Sequence, residues 1–302
     1  MRYDNLASSF LRLGCKVEMN APMSRITSFR IGGPADLLVT ASNYNDVISV
    51  KQICESQSIP LTYMGNGSNM LVSDKGVDGI VLRMDSKTGE PAIENDLVVC
   101  SAGVSLKKLC TFSKDAGLSG LEFAYGIPGS VGGAVYMNAG AYGGQFSDVV
   151  QWVDALFPDG QIRRVDTQGL KFGYRHSVFM ENGAIVMAAA FRLTCDSPSS
   201  IAERMDEFMR RRRDKQPLEY PSAGSFFKRP EGFYAGALIE GSGLKGFSVG
   251  AAQVSDKHAG FIINRGGATC DEVIRLAEIV TKRVLLDSGI TLEPEVRFVG
   301  RN

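Results

Sequence analysis

The sequence predicts an α+β protein made of two strand-rich units and a smaller C-terminal domain. Its 302 residues exceed the usual size of one hydrophobic core, which favours two or three domains. Short apolar runs typical of strands alternate with helical patterns before residue 195. The sequence then changes character at Cys195-Asp196-Ser197-Pro198, where a polar turn precedes a long helical pattern. We therefore expect three parts, at 1–84, 85–197 and 198–302.

Apolar periodicity and turn residues predict the elements of the first two parts in order. Helices are expected at 1–14, 43–57 and 105–116, the last ending at Gly117. Strands are expected at 35–40, 61–64, 70–72, 79–82, 97–101 and 185–193. A hairpin is expected over 149–165, because Pro158-Asp159-Gly160 separates two apolar runs.

Two capping boxes organise the predicted C-terminal domain. Ser200-x-x-Glu203 predicts the start of a helix that ends near Lys215, and Thr269-x-x-Glu272 predicts one that runs to Ser288. A short helix at 234–240 and strands at 248–254, 261–264 and 292–299 complete the domain.

The composition argues against several classes of function, among them nucleic-acid binding and membrane insertion. Lys and Arg total 33, as do Asp and Glu, so no overall charge favours nucleic acid or an anionic membrane. The chain has no apolar run of 18 residues and no N-terminal signal pattern, so we expect a cytoplasmic protein without membrane insertion. None of the six cysteines forms a Cys-x-x-Cys pair, which favours free thiols over disulfides or a metal site.

The most informative segment is 126–144, which we call the glycine cradle. It contains seven glycines in nineteen residues, interrupted by core-type side chains such as Val131, Val135 and Tyr142. Glycine is used where the backbone takes positive φ or approaches another group closely, and a large ligand lying on main-chain amides needs both. We predict an ordered ligand cradle; the alternative is a glycine-rich loop with a purely structural role.

A second glycine turn lies at 65–69. Gly65-Asn66-Gly67-Ser68-Asn69 is followed by a strand, whereas the dinucleotide fingerprint must open a helix, so a conventional nicotinamide-binding domain is not expected. Each turn can present consecutive N–H groups to one phosphate. Together the two turns suggest a cofactor whose pyrophosphate is held between two units. The alternative is that both turns have only a structural role.

Several polar side chains could carry chemistry. Ser225 precedes Phe226-Phe227, so it is either a turn residue or a proton donor in a dry pocket. Arg175 could hold a carboxylate bidentately or lie on the surface. Glu293 and Glu295 are two residues apart in a predicted strand, so their side chains should point to the same face. Either the two carboxylates reach a cleft, or they are solvated on the surface. The run 210–213 reads as a mainly solvated helix face, with Lys215 the cation best placed to reach a site.

Six strings in order resemble those of the UDP-N-acetylenolpyruvoylglucosamine reductases, flavoenzymes that complete muramic acid in peptidoglycan synthesis. They are Phe29 to Ala35, Gly65 to Asn69, Gly126 to Gly133, Tyr174-Arg175, Gly224 to Lys228 and Glu293 to Phe298. The resemblance implies a two-part FAD-binding unit of the vanillyl-alcohol-oxidase type followed by an α+β substrate domain. Only four residues, 180–183, separate the Tyr-Arg region from the next strand, so the chain is similar to the shorter-looped members.

The resemblance also implies a mechanism in which NADPH reduces FAD and reduced FAD gives hydride to an enolpyruvyl sugar nucleotide. Arg175 and Glu295 match the residues that stabilise the resulting enolate, and Ser225 matches the proton donor. The matched substrate-binding residues are Tyr174, Lys215, Arg229 and His258. At the positions of Arg229 and His258 the longer-looped members have amide residues. The matched cofactor-binding residues are Gly65, Asn66, Gly67, Ser68, Asn69, Gly126, Pro128, Ser130, Gly132, Gly133, Asn138 and Gly140.

Neither histidine lies in a glycine loop, so we expect the FAD to be held without a covalent bond. One alternative is another FAD-dependent oxidoreductase of the same cofactor-binding class, acting on a hydroxy acid or sugar. A second is a flavin- or nucleotide-binding regulatory module, which would need no proton donor. The sequence does not determine the oligomeric state.

Overall fold

A computed structural model describes residues 2–301, apart from the side chain of Arg2. The chain divides into two compact units, each assembled from separated stretches. The first unit contains Met1–Met19, Leu37–Asn66 and Gly79–Arg212, and the second contains Asn20–Asp36, Gly67–Asp78 and Arg213–Asn302. The three consecutive domains expected from the sequence, 1–84, 85–197 and 198–302, are a separate division by function and remain a prediction.

Eight α-helices, three short 3₁₀ helices and nineteen strands follow one another along the described residues, which confirms the α+β class. The helices are α1 Arg2–Arg12, α2 Tyr44–Ser56, α3 Leu106–Asp115, α4 Val131–Tyr136, α5 Phe179–Asn182, α6 Pro198–Lys215, α7 Ala235–Gly241 and α8 Cys270–Ser288. The first ten strands are β1 Lys16–Pro22, β2 Pro34–Ala41, β3 Leu61–Tyr63, β4 Met70–Val72, β5 Val77–Met84, β6 Ala92–Glu94, β7 Leu97–Ser101, β8 Leu118–Ser119, β9 Gly140–Ala141 and β10 Gly144–Gln145. The others are β11 Val150–Leu156, β12 Ile162–Asp166, β13 Ile185–Phe191, β14 Thr194–Cys195, β15 Ser222–Ser225, β16 Ser248–Val249, β17 Ala252–Val254, β18 Phe261–Asn264 and β19 Arg297–Val299.

The main sheet of the first unit has the strand order β12-β11-β13-β7-β6. All its neighbours are antiparallel, and the predicted hairpin is confirmed by the pairing of Leu156 with Ile162. Every residue of β13 is buried, and all its side chains are apolar, so both faces of this strand contribute to the core. A four-stranded sheet has the order β1-β2-β5-β3, in which β3 runs parallel to β5.

The second unit is built on the sheet β15-β18-β17-β16 and on helix α8. Apolar residues recur along α8 with helical spacing and are buried: Val273, Leu276, Ala277, Val280 and Val284. The predicted capping box of Thr269 and Glu272 is confirmed, and the Asp74 carboxylate accepts two further N–H groups of the first turn, from Cys270 and Asp271. Strands β4 and β19 pair in parallel in the same unit.

Three predicted boundaries are wrong. Helix α6 begins at Pro198, not after Ser200, because the Ser197 hydroxyl accepts the N–H of Ser200 and proline fits the first helical position. The strand expected at 248–254 is a hairpin, β16 and β17, that turns at Gly250 with φ +56°. The final strand covers only Arg297–Val299, whereas 292–296 is irregular.

No helix among residues 2–301 is both long enough and apolar enough to span a bilayer. The six cysteines are free thiols, of which five are buried and Cys195 is exposed.

Candidate active site

The glycine cradle is ordered and closely packed. Its middle forms the short helix α4, where the buried Ser130 hydroxyl accepts the N–H of Gly133 at 3.3 Å. A Cβ at Gly132 would lie 2.8 Å from the Cβ of Ala102, and one at Gly144 would lie 2.6 Å from the Phe123 ring. Gly132 and Gly144 are therefore needed for close packing within the protein, and the predicted ligand cradle stays a prediction.

The second glycine turn meets the cradle within the first unit. A Cβ on Gly65 would lie 2.3 Å from Ser130 Oγ and 3.8 Å from the amide nitrogen of Gly133. Asn66 follows in the same unit, while Gly67, Ser68 and Asn69 belong to the second unit. The structure thus brings the start of one predicted phosphate-binding turn against the other.

Four amide groups at this meeting point fit a pyrophosphate. Among residues 2–301, no acceptor receives the N–H of Gly65, Asn66, Gly129 or Ser130. Neighbouring N–H groups without protein acceptors form an anion-binding concavity. The residues present therefore fit the diphosphate of FAD, and the site needs no lysine for it.

Tyr174 and Arg175 are held against the far end of the cradle. Arg175 has φ +53° and donates from Nη2 to the carbonyl of Gly140 at 3.3 Å. Its guanidinium lies 5.0 Å from the Tyr174 ring centre. The buried Asn138 amide donates to the carbonyl of Gly173 at 2.9 Å, so the cradle itself positions the Tyr-Arg turn.

Asn138 uses both ends of its side chain within the protein. Its Oδ1 accepts the N–H of Ser147 at 2.9 Å, in addition to the bond that its Nδ2 donates. This arrangement makes Asn138 a positioning residue. Pro128, another predicted cofactor-binding residue, is exposed at the cradle surface.

In the second unit, Ser225 and Glu295 lie on neighbouring segments. Glu295 N–H donates to the carbonyl of Phe226 at 2.8 Å, and Asn69 Nδ2 donates to the carbonyl of Glu295 at 3.2 Å. Ser225 is exposed at the end of β15, and Glu295 is half-buried. The two residues are therefore close neighbours, although Glu295 lies in irregular backbone and not in the predicted strand.

Glu293 behaves differently from Glu295. Its carboxylate is exposed and pairs with Lys228 Nζ at 3.1 Å. The expectation that both glutamates share one strand face is wrong, because the strand begins only at Arg297.

Arg229 and His258 belong to the same unit as Ser225. Arg229 Nε donates to the carbonyl of Phe233 at 3.3 Å, and its guanidinium lies 4.1 Å from the centre of the Tyr234 ring.

His258 has a defined tautomer. Its Nδ1 accepts the N–H of Gly260 at 3.0 Å, and Gly260 in turn accepts the N–H of Phe226, next to Ser225. Burial is the main cause that lowers the pKa of His258 below its usual value. The ring is therefore neutral at neutral pH, with its proton on Nε2.

Lys215 is the last residue of α6, which confirms the predicted helix end before Pro217. Its side chain is exposed, and its charge acts on His258 by helping to lower the pKa of that ring. It therefore lies on the side of the second unit that carries His258.

Sequence reasoning missed the inward face of α6. Phe208 stacks on Tyr142 of the cradle with ring centres 5.0 Å apart, and Met209 and Arg212 pack on Gly126. Phe208 and Met209 lie four and three residues before Arg212, and this apolar pair was the signal that could have identified the face. Among residues 2–301, no cluster of three or more His, Cys, Asp or Glu side chains could hold a metal ion.

Two family models match the chain. Residues 35–166 match an FAD binding domain, and residues 216–299 match the C-terminal domain of UDP-N-acetylenolpyruvoylglucosamine reductase. The reductase of that name from Syntrophomonas wolfei is 47% identical over 285 residues, covering 94% of this chain and 95% of the relative. The one from Clostridium kluyveri is 44% identical over 286 residues, covering 95% and 94%.

A solved structure agrees with these matches. The crystal structure of UDP-N-acetylenolpyruvylglucosamine reductase from Thermus caldophilus aligns with a TM-score of 0.79 and 35% identity, covering 94% of this chain and 98% of that one. Together with the open amides of the cradle, the fold and the matches define an FAD-dependent oxidoreductase with an additional C-terminal domain.

The chain belongs to the UDP-N-acetylenolpyruvoylglucosamine reductase family. Its reaction is the FAD-dependent reduction of the enolpyruvyl group on UDP-N-acetylglucosamine, which gives UDP-N-acetylmuramate for peptidoglycan synthesis. The predicted family, FAD and enzyme class are thus confirmed. The alternative FAD oxidoreductase is not favoured, because the C-terminal domain matches as well.

Proposed function

We propose that Arg175, Ser225 and Glu295 carry out the chemistry of this reaction. The observation that supports it most directly is the neighbouring placement of Ser225 and Glu295, which the bond between Glu295 N–H and the Phe226 carbonyl maintains. A proton donor and a carboxylate on adjacent segments are suited to finishing a reduction by protonating carbon.

FAD, when bound, would supply the hydride chemistry that connects NADPH with the vinyl carbon of the substrate. The residues proposed to hold it are the two glycine turns, 65–69 and 126–133, with the cradle residues Asn138 and Gly140. Their open N–H groups support this assignment, since they can donate to both phosphates. Asn138 contributes by orienting the Tyr-Arg turn.

Arg175 stabilises negative charge on the substrate. Addition of hydride to the vinyl carbon leaves an enolate whose charge spreads into the adjacent carboxylate, and a fixed guanidinium is suited to that charge. The bond to the Gly140 carbonyl holds the Arg175 side chain before substrate arrives, so little reorganisation is needed.

Ser225 donates the proton that quenches the enolate carbon. A hydroxyl is a weak acid, so it serves only against a strongly basic carbon, as this enolate is. Among the described residues, none accepts a hydrogen bond from the Ser225 hydroxyl, which leaves its proton available. Glu295, held beside it, polarises the substrate and the hydroxyl during the transfer.

The substrate nucleotide is bound by Tyr174, Lys215, Arg229 and His258. Lys215 and Arg229 supply positive charge for a diphosphate. His258 donates from Nε2, because Nδ1 is used as an acceptor. We place the reaction in the cytoplasm, where free thiols persist, and its product in cell wall biogenesis, on which cell shape and division depend.

The test is an anaerobic absorbance experiment on the purified flavoprotein. NADPH should bleach the flavin at similar rates in wild type, Ser225→Ala and the exposed-serine control Ser248→Ala. Adding UDP-N-acetylglucosamine enolpyruvate should restore the colour rapidly in wild type and control, and on the order of 10²-fold more slowly in Ser225→Ala. Ser225→Cys, which keeps a proton on the side chain, should recover part of the rate. Equal recovery in Ser225→Ala and wild type would remove Ser225 from the mechanism.

A further inference from the structure

The turn that carries Arg175 has a strained backbone. Gly173 and His176 exchange two backbone hydrogen bonds, of 3.1 and 3.2 Å. Tyr174 and Arg175 therefore form the tip of a tight turn. Lys171 and Arg175 both lie in the left-handed region, with φ of +45° and +53°. Residues other than glycine rarely adopt this conformation, and it persists only where surrounding contacts hold it, so the turn depends on groups outside its own backbone.

The His176 ring contacts the base of this turn at two points. Its Nδ1 lies 3.2 Å from the carbonyl oxygen of Lys171, and its Nε2 lies 3.0 Å from the Glu181 carboxylate on α5. The next residue, Ser177, is fully buried, and its hydroxyl donates to the Tyr136 carbonyl at 2.7 Å. Ser177 fixes the chain to the glycine cradle, so the ring of His176 connects the strained Lys171 with α5 beside a fixed point.

Both ring nitrogens of His176 face oxygen atoms that only accept hydrogen bonds. A backbone carbonyl and an ionised carboxylate carry no proton, whereas a neutral imidazole has one N–H and one bare nitrogen. The neutral ring therefore satisfies one of the two contacts and places a lone pair against oxygen in the other. Only the protonated ring donates to both Lys171 and Glu181.

One anionic group faces the His176 ring. Among residues 2–301, Glu181 is the one carboxylate within ion-pair distance of it, and α5 carries no other ionisable side chain. The other ionisable side chains of the segments bonded to His176 and Ser177 are Lys171, Tyr174, Arg175 and Tyr136. The His176 side chain is 35% exposed, so its proton exchanges with solvent while Glu181 attracts the charged form.

We propose that His176 is a positioning residue that holds the Tyr174-Arg175 turn in its reactive geometry while its ring is protonated. As the pH rises and the ring loses its proton, one of its two contacts is lost and the strained turn relaxes. Arg175 then stabilises the substrate enolate less well. Histidine side chains change charge between about pH 5 and 8, so the effect falls in the physiological range. This assignment rests on the proposed role of Arg175 in the reaction of reduced enzyme with substrate.

The experiment measures the two half-reactions separately, by anaerobic stopped-flow absorbance between about pH 5 and 9. Reoxidation of the reduced holoenzyme by UDP-N-acetylglucosamine enolpyruvate should slow about fivefold in wild type as the pH rises, the effect of losing about one hydrogen bond. His176→Gln, which carries no charge, should be slow at every pH. His176→Arg, which keeps the charge and the donors, should retain the fast rate at high pH. Reduction by NADPH forms no enolate, so its pH dependence should be the same in all three proteins.

A second measurement follows the ring itself. The chain has two histidines, so NMR of the histidine Cε1–H groups gives the titration midpoint of His176 directly. Glu181→Gln should lower this midpoint, and the midpoint of the reoxidation rate, by about half a pH unit. The matched control is Glu90→Gln, an exposed glutamate that pairs with Lys108, and it should change neither midpoint.

Three results would contradict the proposal. His176 does not position the turn if His176→Gln reoxidises as fast as wild type at every pH. Its proton has no role if His176→Gln is slower by one constant factor, or if the NMR and rate midpoints of wild type differ. Arg175→Ala separates this proposal from the proposed function: if it leaves reoxidation unchanged, the role of Arg175 fails as well. His176→Asn replaces His176→Gln should the latter not fold, as judged by circular dichroism.

Discussion

Adding one methyl group at Gly65 should loosen the proposed FAD site. Gly65→Ala would place Cβ 2.3 Å from Ser130 Oγ, about 1 Å inside an ordinary contact. Gly65 does not have positive φ, so alanine adds no backbone strain and the clash is the main effect. Ser130 is buried, so its hydroxyl can yield only by leaving the N–H of Gly133 or by carrying the cradle with it.

The expected loss of FAD affinity depends on which of these two responses the Ser130 hydroxyl makes. Losing the cap on α4 costs about 1 kcal/mol, which is about fivefold in affinity if FAD binds the capped form. Moving the turns apart withdraws N–H groups from a phosphate, at about 1.5–3 kcal/mol for each bond to a charged group. We expect FAD to bind at least about fivefold more weakly, as measured by flavin release on dilution of the holoenzyme.

A double mutant separates the clash from the lost cap. In Ser130→Ala the hydroxyl is absent, and the nearest atom to the new methyl becomes the β-carbon at 3.5 Å, an ordinary contact. Gly65→Ala/Ser130→Ala should therefore bind FAD about as well as Ser130→Ala alone. Gly241→Ala, where a Cβ meets nothing within 4 Å, is the matched glycine control. Additive losses in the double mutant, or wild-type affinity in Gly65→Ala, would refute the reasoning.

Two further predictions concern stability and thiol chemistry. Arg204→Met should lower the free energy of unfolding at pH 7 by about 3 kcal/mol in urea melts, because it leaves the buried Glu122 carboxylate without its cation. Burial raises the pKa of Glu122, but hydrogen bonds from Arg204 and nearby groups bring that pKa below its usual value. The ion pair therefore stabilises the fold at pH values above the usual carboxyl pKa, and this stabilisation disappears as the pH falls through the lowered pKa. If Arg204→Met and wild type still differed by the same free energy of unfolding in acid, this prediction would be wrong. In the native protein, Ellman's reagent should modify one thiol, Cys195, and should modify all six only after unfolding. The other five are buried, and burial raises the pKa of Cys15 and Cys54 to about 11. Fast reaction of native Cys195→Ser would show that a buried thiol becomes exposed without global unfolding.

The elements that sequence predicted well are those specified by local signals. Helix α8 begins and ends as predicted, since its capping box and Gly289 at φ +73° act within one turn. The hairpin β11–β12 follows from a short turn between two apolar runs. The start of helix α6 was predicted three residues late because two cap signals overlap, and Pro198 decides between them.

The site was predictable in composition but less so in arrangement. Glycine density indicated the cradle, and motif strings indicated Arg175, Ser225 and Glu295 as candidates. The contact of Gly65 with Ser130 joins segments 65 residues apart in sequence, which no local pattern encodes. Likewise, four consecutive arginines carry no information about which one faces inward until the apolar face of the helix is considered.

The parallel pairing of β4 with β19 has a consequence for synthesis of the chain. Residues 70–72 leave the ribosome roughly 225 residues before their partners at 297–299, a delay of about 10–45 s at ordinary elongation rates. Through that interval β4 has no partner strand, and the Asp74 carboxylate has no helix end to cap. The second unit therefore completes its fold only after residues 297–299 have been synthesised, whereas the main sheet of the first unit is fully synthesised about a hundred residues earlier.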